Sequence, residues 1–231
     1  MRPLFAFGAL IGVAILIMAL ATLSRPNDGR TFAPKEEAES QSSAASQPPA
    51  PKPSAFNPER AQAFDKYKAG AVRATLSVEN RGTLTLELYP KAAPKTVAHF
   101  VDLCKRHFYD GIKFHRVVPG FVAQAGDPNS KSVDGAELAA TSPDDVPMKF
   151  GLGSGGSGKT VPLEAHLPHL PYTLGLARSQ DPDTGDSQFY INLANNARLD
   201  SGYCVFGRIV AGEDIASKIQ QGDRITRLSV P

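Results

Sequence analysis

The chain has 231 residues, room for one ordinary domain and an appendage. A formal net charge of +2 leaves no basic footprint for nucleic acid. Only two cysteines, Cys104 and Cys204, are present, which excludes a disulfide framework, while a hydrophobic content of 42% fits a packed core. A single bridge between them stays open. The preferred reading is two free, mostly buried thiols, because Cys204 sits inside an apolar strand pattern.

In chain order, Leu4 to Leu23 comes first, twenty residues with no charge and only Thr22 polar. That length spans a bilayer as a helix. A secretory signal has a shorter apolar region of about 7–15 residues, yet Ala19-Leu20-Ala21 has the form of a cleavage site. Residues 1–23 therefore read as a transmembrane anchor, with a cleaved signal segment as the alternative. The flanking Arg2, Arg25, Arg30 and Lys35 do not decide between them. On either reading the remaining chain leaves the cytoplasm. It is then tethered at the membrane on the periplasmic or cell-surface side, or secreted.

Glu36 to Pro58 is rich in Ala, Ser, Gln, Pro and Glu, with Phe56 its only large apolar side chain. Such a segment cannot offset the entropy of ordering, so a disordered tether is expected. Within a linker over 24–70, Asn57-Pro58-Glu59 starts a possible short helix and Gly70 stops it. A folded domain is expected over 71–231. Val72, Ala74, Leu76 and Val78 alternate with polar residues, and after Asn80-Arg81-Gly82 the alternation resumes at Leu84, Leu86 and Leu88. This predicts a hairpin with one buried face. Pro94 opens a helix to about Arg106, with Val97, Phe100 and Cys104 facing the core. Further strands are expected near 113–118, 122–125, 172–177, 189–193, 203–210 and 224–230, with a second helix over Glu213–Gln221 ending at Gly222. The pattern is mainly β and fits a barrel or a sandwich.

The most informative stretch is Phe114 to Asp127, FHRVVPGFVAQAGD. It sets His115, Arg116 and Gln124 beside Phe121 and Val122, with Pro119-Gly120 turning the chain between them. An apolar pocket with one fixed cation at its edge suits a neutral substrate that is polarised, not attacked. This stretch closely resembles the signature of the cyclophilins, the peptidyl-prolyl cis/trans isomerases. Two further blocks resemble the same family: LARSQDPDTGDSQFYI from Leu176 to Ile191, and LDSGYCVFGRIVAG from Leu199 to Gly212. The resemblance covers roughly Ala71 to Val230. It implies a closed, eight-stranded antiparallel barrel capped by two α-helices, and catalysis of prolyl isomerisation without metal or cofactor.

Arg116 is the candidate donor to the prolyl amide, because a guanidinium stays charged and carries several N–H groups. By resemblance Phe121, Val122, Tyr190 and Leu199 line the proline socket, and Tyr203 stands at its rim, where many members carry histidine. Gln124 matches a glutamine that orients the arginine and contacts substrate. Ala177 and Arg178 match the segment whose backbone pairs with the peptide, and Gln188 a groove-facing polar residue. His115 reads either as a hydrogen-bonder near the substrate or as a structural histidine. Phe189 goes to the core, since strand alternation sends it opposite to Tyr190. The implied partners are proline-containing peptides and unfolded proteins, to which the chain acts as a folding catalyst or chaperone.

Besides Tyr203, the chain departs from the family pattern at three places. Val122 replaces a common methionine. Arg198 stands where many members have tryptophan, a residue this chain lacks, so cyclosporin is expected to bind weakly. Between Asp127 and Gly153 lie 25 residues, more than compact members have, with Asp134, Glu137, Asp144 and Asp145 against Lys131 and Lys149. The insertion reads as an acidic flap beside the groove or as a solvated loop.

Three other readings compete with this one. Gly153 to Thr160 satisfies the phosphate-loop pattern, but Pro162, Pro168 and Pro171 forbid the helix such a loop opens. Nucleotide binding is therefore a distant alternative, and the resemblance makes this a flexible glycine loop at the groove's edge. Glu164, His166 and His169 could suggest a metal site, but Pro168 breaks any helical face between the histidines, and loop histidines fit better. A non-catalytic, membrane-tethered module for proline peptides would use the same groove as the enzyme.

Overall fold

The computed structural model describes residues 58–231. The apolar segment 1–23 and the linker through residue 57 lie outside the described residues. Among the described residues no helix is long and apolar enough to cross a membrane. The chain enters through a one-turn helix α1 (Pro58–Gln62) and a 3-10 turn at Asp65–Tyr67. Phe64, between them, is 2% exposed and packs with Tyr89, Leu167, Leu170 and Val205. The packed unit thus begins ahead of the first strand.

Alternation then builds the sheet. Strands β1 (Val72–Val78) and β2 (Gly82–Leu88) pair antiparallel, with Leu76 opposite Leu84 and Ala74 opposite Leu86. All four of those side chains are buried. Asn80 takes a positive φ of 58° in the connecting turn, a conformation asparagine tolerates better than most residues. Helix α2 (Pro94–Lys105) starts with proline in its first turn and buries Val97, Phe100, Leu103 and Cys104. Phe100 is its anchor, with ring centroids 4.9 to 5.5 Å from those of Phe206, Tyr109 and Phe189. Removing such a ring costs about 3–5 kcal/mol.

The remaining strands are β3 (Arg116–Val118), β4 (Val122–Ala125), β5 (Thr173–Leu176), β6 (Phe189–Asn192), β7 (Val205–Ala211) and β8 (Ile225–Ser229). The eight form one antiparallel sheet in the order β3-β4-β6-β5-β7-β2-β1-β8. The expected closed barrel is corrected: the sheet curls but β3 and β8 do not pair as strands. Irregular backbone spans the gap, where Phe114 donates to Asp223 O (2.9 Å) and Ile225 to Ile112 O (2.8 Å). The Val117 amide is met by a side chain, Gln221 Oε1, at 3.2 Å.

The expected helix over 213–221 is also corrected. Helix α5 is a single turn, Glu213–Ala216. Gln221 lies five residues beyond its end, and the side-chain Nε2 of Gln221 donates to Leu138 O and Thr141 O, both at 2.7 Å. Those two carbonyls belong to the insertion. It is a folded flap, not a solvated loop, with helices α3 (Gly135–Ala139) and α4 (Val146–Phe150) around a small core of Leu138, Val146 and Leu152. Asp134 caps α3 by accepting from the Glu137 amide at 2.9 Å.

Candidate active site

Arg116 opens β3 directly opposite Gln124 on β4; Gln124 lies opposite Tyr190 on β6, and Tyr190 opposite Gly175 on β5. Directly opposed residues share a sheet face. One row therefore carries a guanidinium, an amide and a phenol drawn from separate strands. Val122 joins that face by its spacing from Gln124, whereas Ala123, Phe189 and Ile191 turn into the core and are fully buried.

At one end of the row, the Arg116 guanidinium is 29% exposed and lies 3.4 Å from Asp144 Oδ1 on the flap. Gln124 is held from behind: its amide nitrogen donates to Gln188 Oε1 at 2.9 Å, and Gln188 donates to Gly155 O at 2.8 Å. Gln124 thus connects the row to the glycine loop rather than bonding Arg116 in this structure. Tyr190 is 5% exposed, and burial raises its phenol far above the ordinary range, so it stays protonated.

Around the row stand Phe121, half-buried beneath the Arg198 guanidinium at 4.6 Å, and Leu199, half-buried in a 3-10 turn at Ala197–Leu199. The Tyr203 ring meets Tyr190 edge-on at 6.3 Å, and Arg178 lies over Tyr203 at 4.5 Å. Arg178 also donates from Nε to Gly202 O at 2.8 Å, so its side chain braces the rim. The Ala177 amide donates to Gln188 O at 2.9 Å. Beside the row a cavity of about 500 Å³ lies between Gln124, Gln188, Ala177 and the glycine loop. A larger cavity of about 700 Å³ lies by α1 and β7, lined by Phe64, Leu170 and Arg208, and does not reach the row.

His115 is 2% exposed, and neither ring nitrogen finds a hydrogen-bond partner. Desolvation lowers its pKa to about 4, with Arg116 adding to the shift and Asp127 opposing it. It is a neutral, enclosed imidazole, and the geometry favours the structural of its two readings. The thiols of Cys104 and Cys204 are free and buried, and desolvation pushes each up to about 12, so neither supplies a thiolate.

The glycine loop is pinned. Asp127 Oδ2 accepts from the amides of Gly153 (2.7 Å) and Gly155 (3.0 Å), and Asp186 Oδ2 accepts from Gly158 (2.9 Å). These amides face the protein's own carboxylates, and the residues after Thr160 form an isolated bridge and irregular backbone, not a helix. The motif is not a phosphate loop. Glu164 spends both oxygens on the N-terminus of α2, at Lys95 and Thr96, and His169 binds Tyr190 and Asp200. Sequence reasoning missed Asp127, Asp186, His169, Asp200 and Gln221 as supports of the site. The only signal for His169 was a tyrosine at position 190, whose buried hydroxyl needs a partner.

The site is thus a curled antiparallel sheet that sets the Arg116 guanidinium beside a partly apolar groove. The model of the cyclophilin-type peptidyl-prolyl cis-trans isomerase family matches residues 73–229. A probable peptidyl-prolyl cis-trans isomerase of Brucella suis is 35% identical over 173 residues, covering 70% of this chain and 83% of the relative. Peptidyl-prolyl cis-trans isomerase B of Bacillus subtilis is 35% identical over 155 residues, 66% of this chain and 94% of the relative. A cyclophilin-type isomerase of Cryptosporidium parvum, solved in the presence of the dipeptide Ala-Pro, shares the fold with a TM-score of 0.54 at 22% identity, covering 69% of this chain and 98% of that one. The chain belongs to the cyclophilin-type peptidyl-prolyl cis-trans isomerases, and it is an enzyme of that family.

Proposed function

We propose that this isomerase acts outside the cytoplasm on prolines of unfolded secreted or envelope proteins, tethered to the membrane by residues 1–23. The X-Pro bond carries a barrier of about 18–20 kcal/mol from amide resonance, so its isomerisation is slow enough to limit folding. The barrier falls if the twisted amide is favoured. The proline ring enters the socket of Phe121, Val122, Tyr190 and Leu199, bounded by Tyr203. Arg116 donates to the twisted amide, which needs no nucleophile, metal or proton relay. Gln124 and Gln188 hold the groove's polar wall, and the backbone at Ala177 and Arg178, just past β5, lies along the peptide. His115 is assigned no contact with substrate.

The observation that carries this reading is the cross-strand row from Arg116 through Gln124 to Tyr190. The membrane part rests on the twenty-residue apolar run. The test is a proline-isomerisation assay on the full-length protein in detergent, together with fractionation of cells expressing it. Activity, resistance to alkaline carbonate extraction and protease access from the non-cytoplasmic side are expected. A soluble mature chain beginning at Thr22 would replace the anchor by a cleaved signal.

A further inference from the structure

Behind the socket lies a buried polar chain that neither the isomerase activity nor the family match assigns. His169 is 0% exposed. Its Nε2 lies 2.8 Å from the Tyr190 hydroxyl, and its Nδ1 lies 3.1 Å from Asp200 Oδ1. The same carboxylate oxygen accepts from the His169 backbone amide at 2.7 Å, so the imidazole and its backbone are clamped together. The other oxygen, Oδ2, pairs with the Arg60 guanidinium of α1. The His169 and Tyr190 rings are nearly parallel, 16° apart with centroids separated by 6.0 Å. Opposite Tyr190, a Cβ on Gly175 would lie 2.2 Å from its Cζ, so only glycine there leaves room for the ring.

Hydrogen-bond bookkeeping sets the direction of each bond. A carboxylate only accepts, so Nδ1 must carry the imidazole proton. Neutral Nε2 is then an acceptor, and the Tyr190 O–H must donate to it. The phenol proton is thereby turned away from the socket. We infer that His169, clamped by Asp200, is a positioning residue that sequesters the Tyr190 hydroxyl and keeps the proline socket apolar although its wall is a tyrosine. Without that acceptor the hydroxyl would hold water against the socket or stay unpaired. An incoming proline ring would have to displace the water or bury the orphan. The inference rests on Tyr190 lining the proline socket. It also makes α1, which precedes the family-matched residues, part of the socket's support through Arg60.

The experiment uses full-length wild type, His169→Phe, His169→Gln, Tyr190→Phe, Tyr190→Ala and the Tyr190→Phe/His169→Phe double variant. Isomerisation of an Ala-Pro tetrapeptide and nitrogen NMR of the histidines are read on each, with folding checked by thermal melting. His169→Phe is expected to lose about tenfold in kcat/KM, mainly through KM, because socket binding is what suffers. His169→Gln offers an amide oxygen to the phenol and an N–H to Asp200, and should stay within about threefold of wild type. The double variant removes both hydroxyl and acceptor and should recover most of the loss. In wild type, His169 should show a protonated Nδ1 and a bare Nε2, with the Nε2 signal shifted by Tyr190→Phe.

A proton on Nε2 in the wild type overturns the inference. So does full kcat/KM in a folded His169→Phe, or a loss that the double variant fails to recover. If His169→Phe does not fold, His169→Gln and the NMR signature decide alone. Failure of the socket reading itself looks different: a folded Tyr190→Ala, which removes the wall altogether, would then keep wild-type KM while the wild-type nitrogen signature persisted, whereas a raised KM in Tyr190→Ala with no effect of His169→Phe would overturn the His169 inference alone.

Discussion

The two walls of the groove are built in opposite ways. On the Tyr190 side, each polar atom of the Tyr190–His169–Asp200 chain has a partner, and the ring lies between Gly175 and His169. On the Arg116 side, the neighbour is a helical flap with a core of only three fully buried residues. Its contact to the guanidinium is one carboxylate, Asp144, whose side chain is 86% exposed. The contrast teaches where geometry is at a premium. A socket that must fit one ring is locked by buried, directional bonds. The Arg116 guanidinium is left partly solvated beside one exposed counter-ion, as suits the proposed role of following a twisting amide. Gln221 joins the flap to β3 by bonding Val117, Leu138 and Thr141, so the flap is docked although Asp144 at its edge is exposed.

The sharpest way to break this comparison is Arg116→Ala. Turnover should fall by at least about 100-fold, equivalent to about 2.7 kcal/mol of barrier, with the melting temperature little changed because the side chain is not core. Near-full activity in the folded variant would remove Arg116 from the mechanism.

Acid should attack the buried imidazoles on both sides of the groove. His115 and His169 both have folded pKa values lowered from the ordinary 6.5, chiefly by desolvation, His115 to about 4. The unfolded chain then binds more protons, so stability is fully present above pH 6.5 and is lost as pH falls toward about 4. His115 alone accounts for at most about 3 kcal/mol over that window. Denaturant midpoints across pH 4–7 should show this slope, and a folded His115→Gln should flatten it. An unchanged slope in that variant would show that His115 is not protonated with such difficulty.

Cyclosporin affinity tests the rim. Arg198 covers Phe121 at 4.6 Å, at the position where the resemblance puts a tryptophan in many members of the family. Ordering and desolvating a guanidinium against an apolar ligand costs free energy, so wild type should bind about 30- to 150-fold more weakly than Arg198→Trp. Calorimetric titration of both proteins reads the ratio; equal tight binding would show that position 198 contributes little.

The smallest effect belongs to the flap. Deleting it would unmake Gln221's bonds, so Asp144→Asn is the cleaner probe. An exposed pair contributes about 0.2–1 kcal/mol. Wild type should therefore favour peptides with lysine over glutamate beside the proline by about two- to fivefold, more at low salt, and Asp144→Asn should erase that preference. A charge preference that survives the substitution places its origin elsewhere.

Much of the fold was legible in local pattern. The alternation of Val72 to Leu88 specified the hairpin, Pro94 and the spacing of Val97, Phe100 and Cys104 specified α2, and period two separated Phe189 from Tyr190. The Phe114–Asp127 stretch pointed to Arg116 and Gln124, which the register of β3 and β4 places face to face. What was illegible depends on groups far apart in sequence. Whether β3 and β8 pair was decided where Gln221 took the Val117 amide in place of a strand. The flap's order came from three apolar side chains too sparse to show a period. The glycine loop was pinned by Asp127 and Asp186, about 28 residues away from the amides they accept. His169 looked like a loop histidine until the fold set it between Tyr190 and Asp200. By itself the sequence determined the strands and the main helix, because periodicity acts through neighbouring residues, and its motif singled out Arg116 as the candidate donor. Only the tertiary structure decided closure, the flap and the socket's polar backing, because a buried donor chooses its acceptor by where the whole chain brings one within about 3 Å.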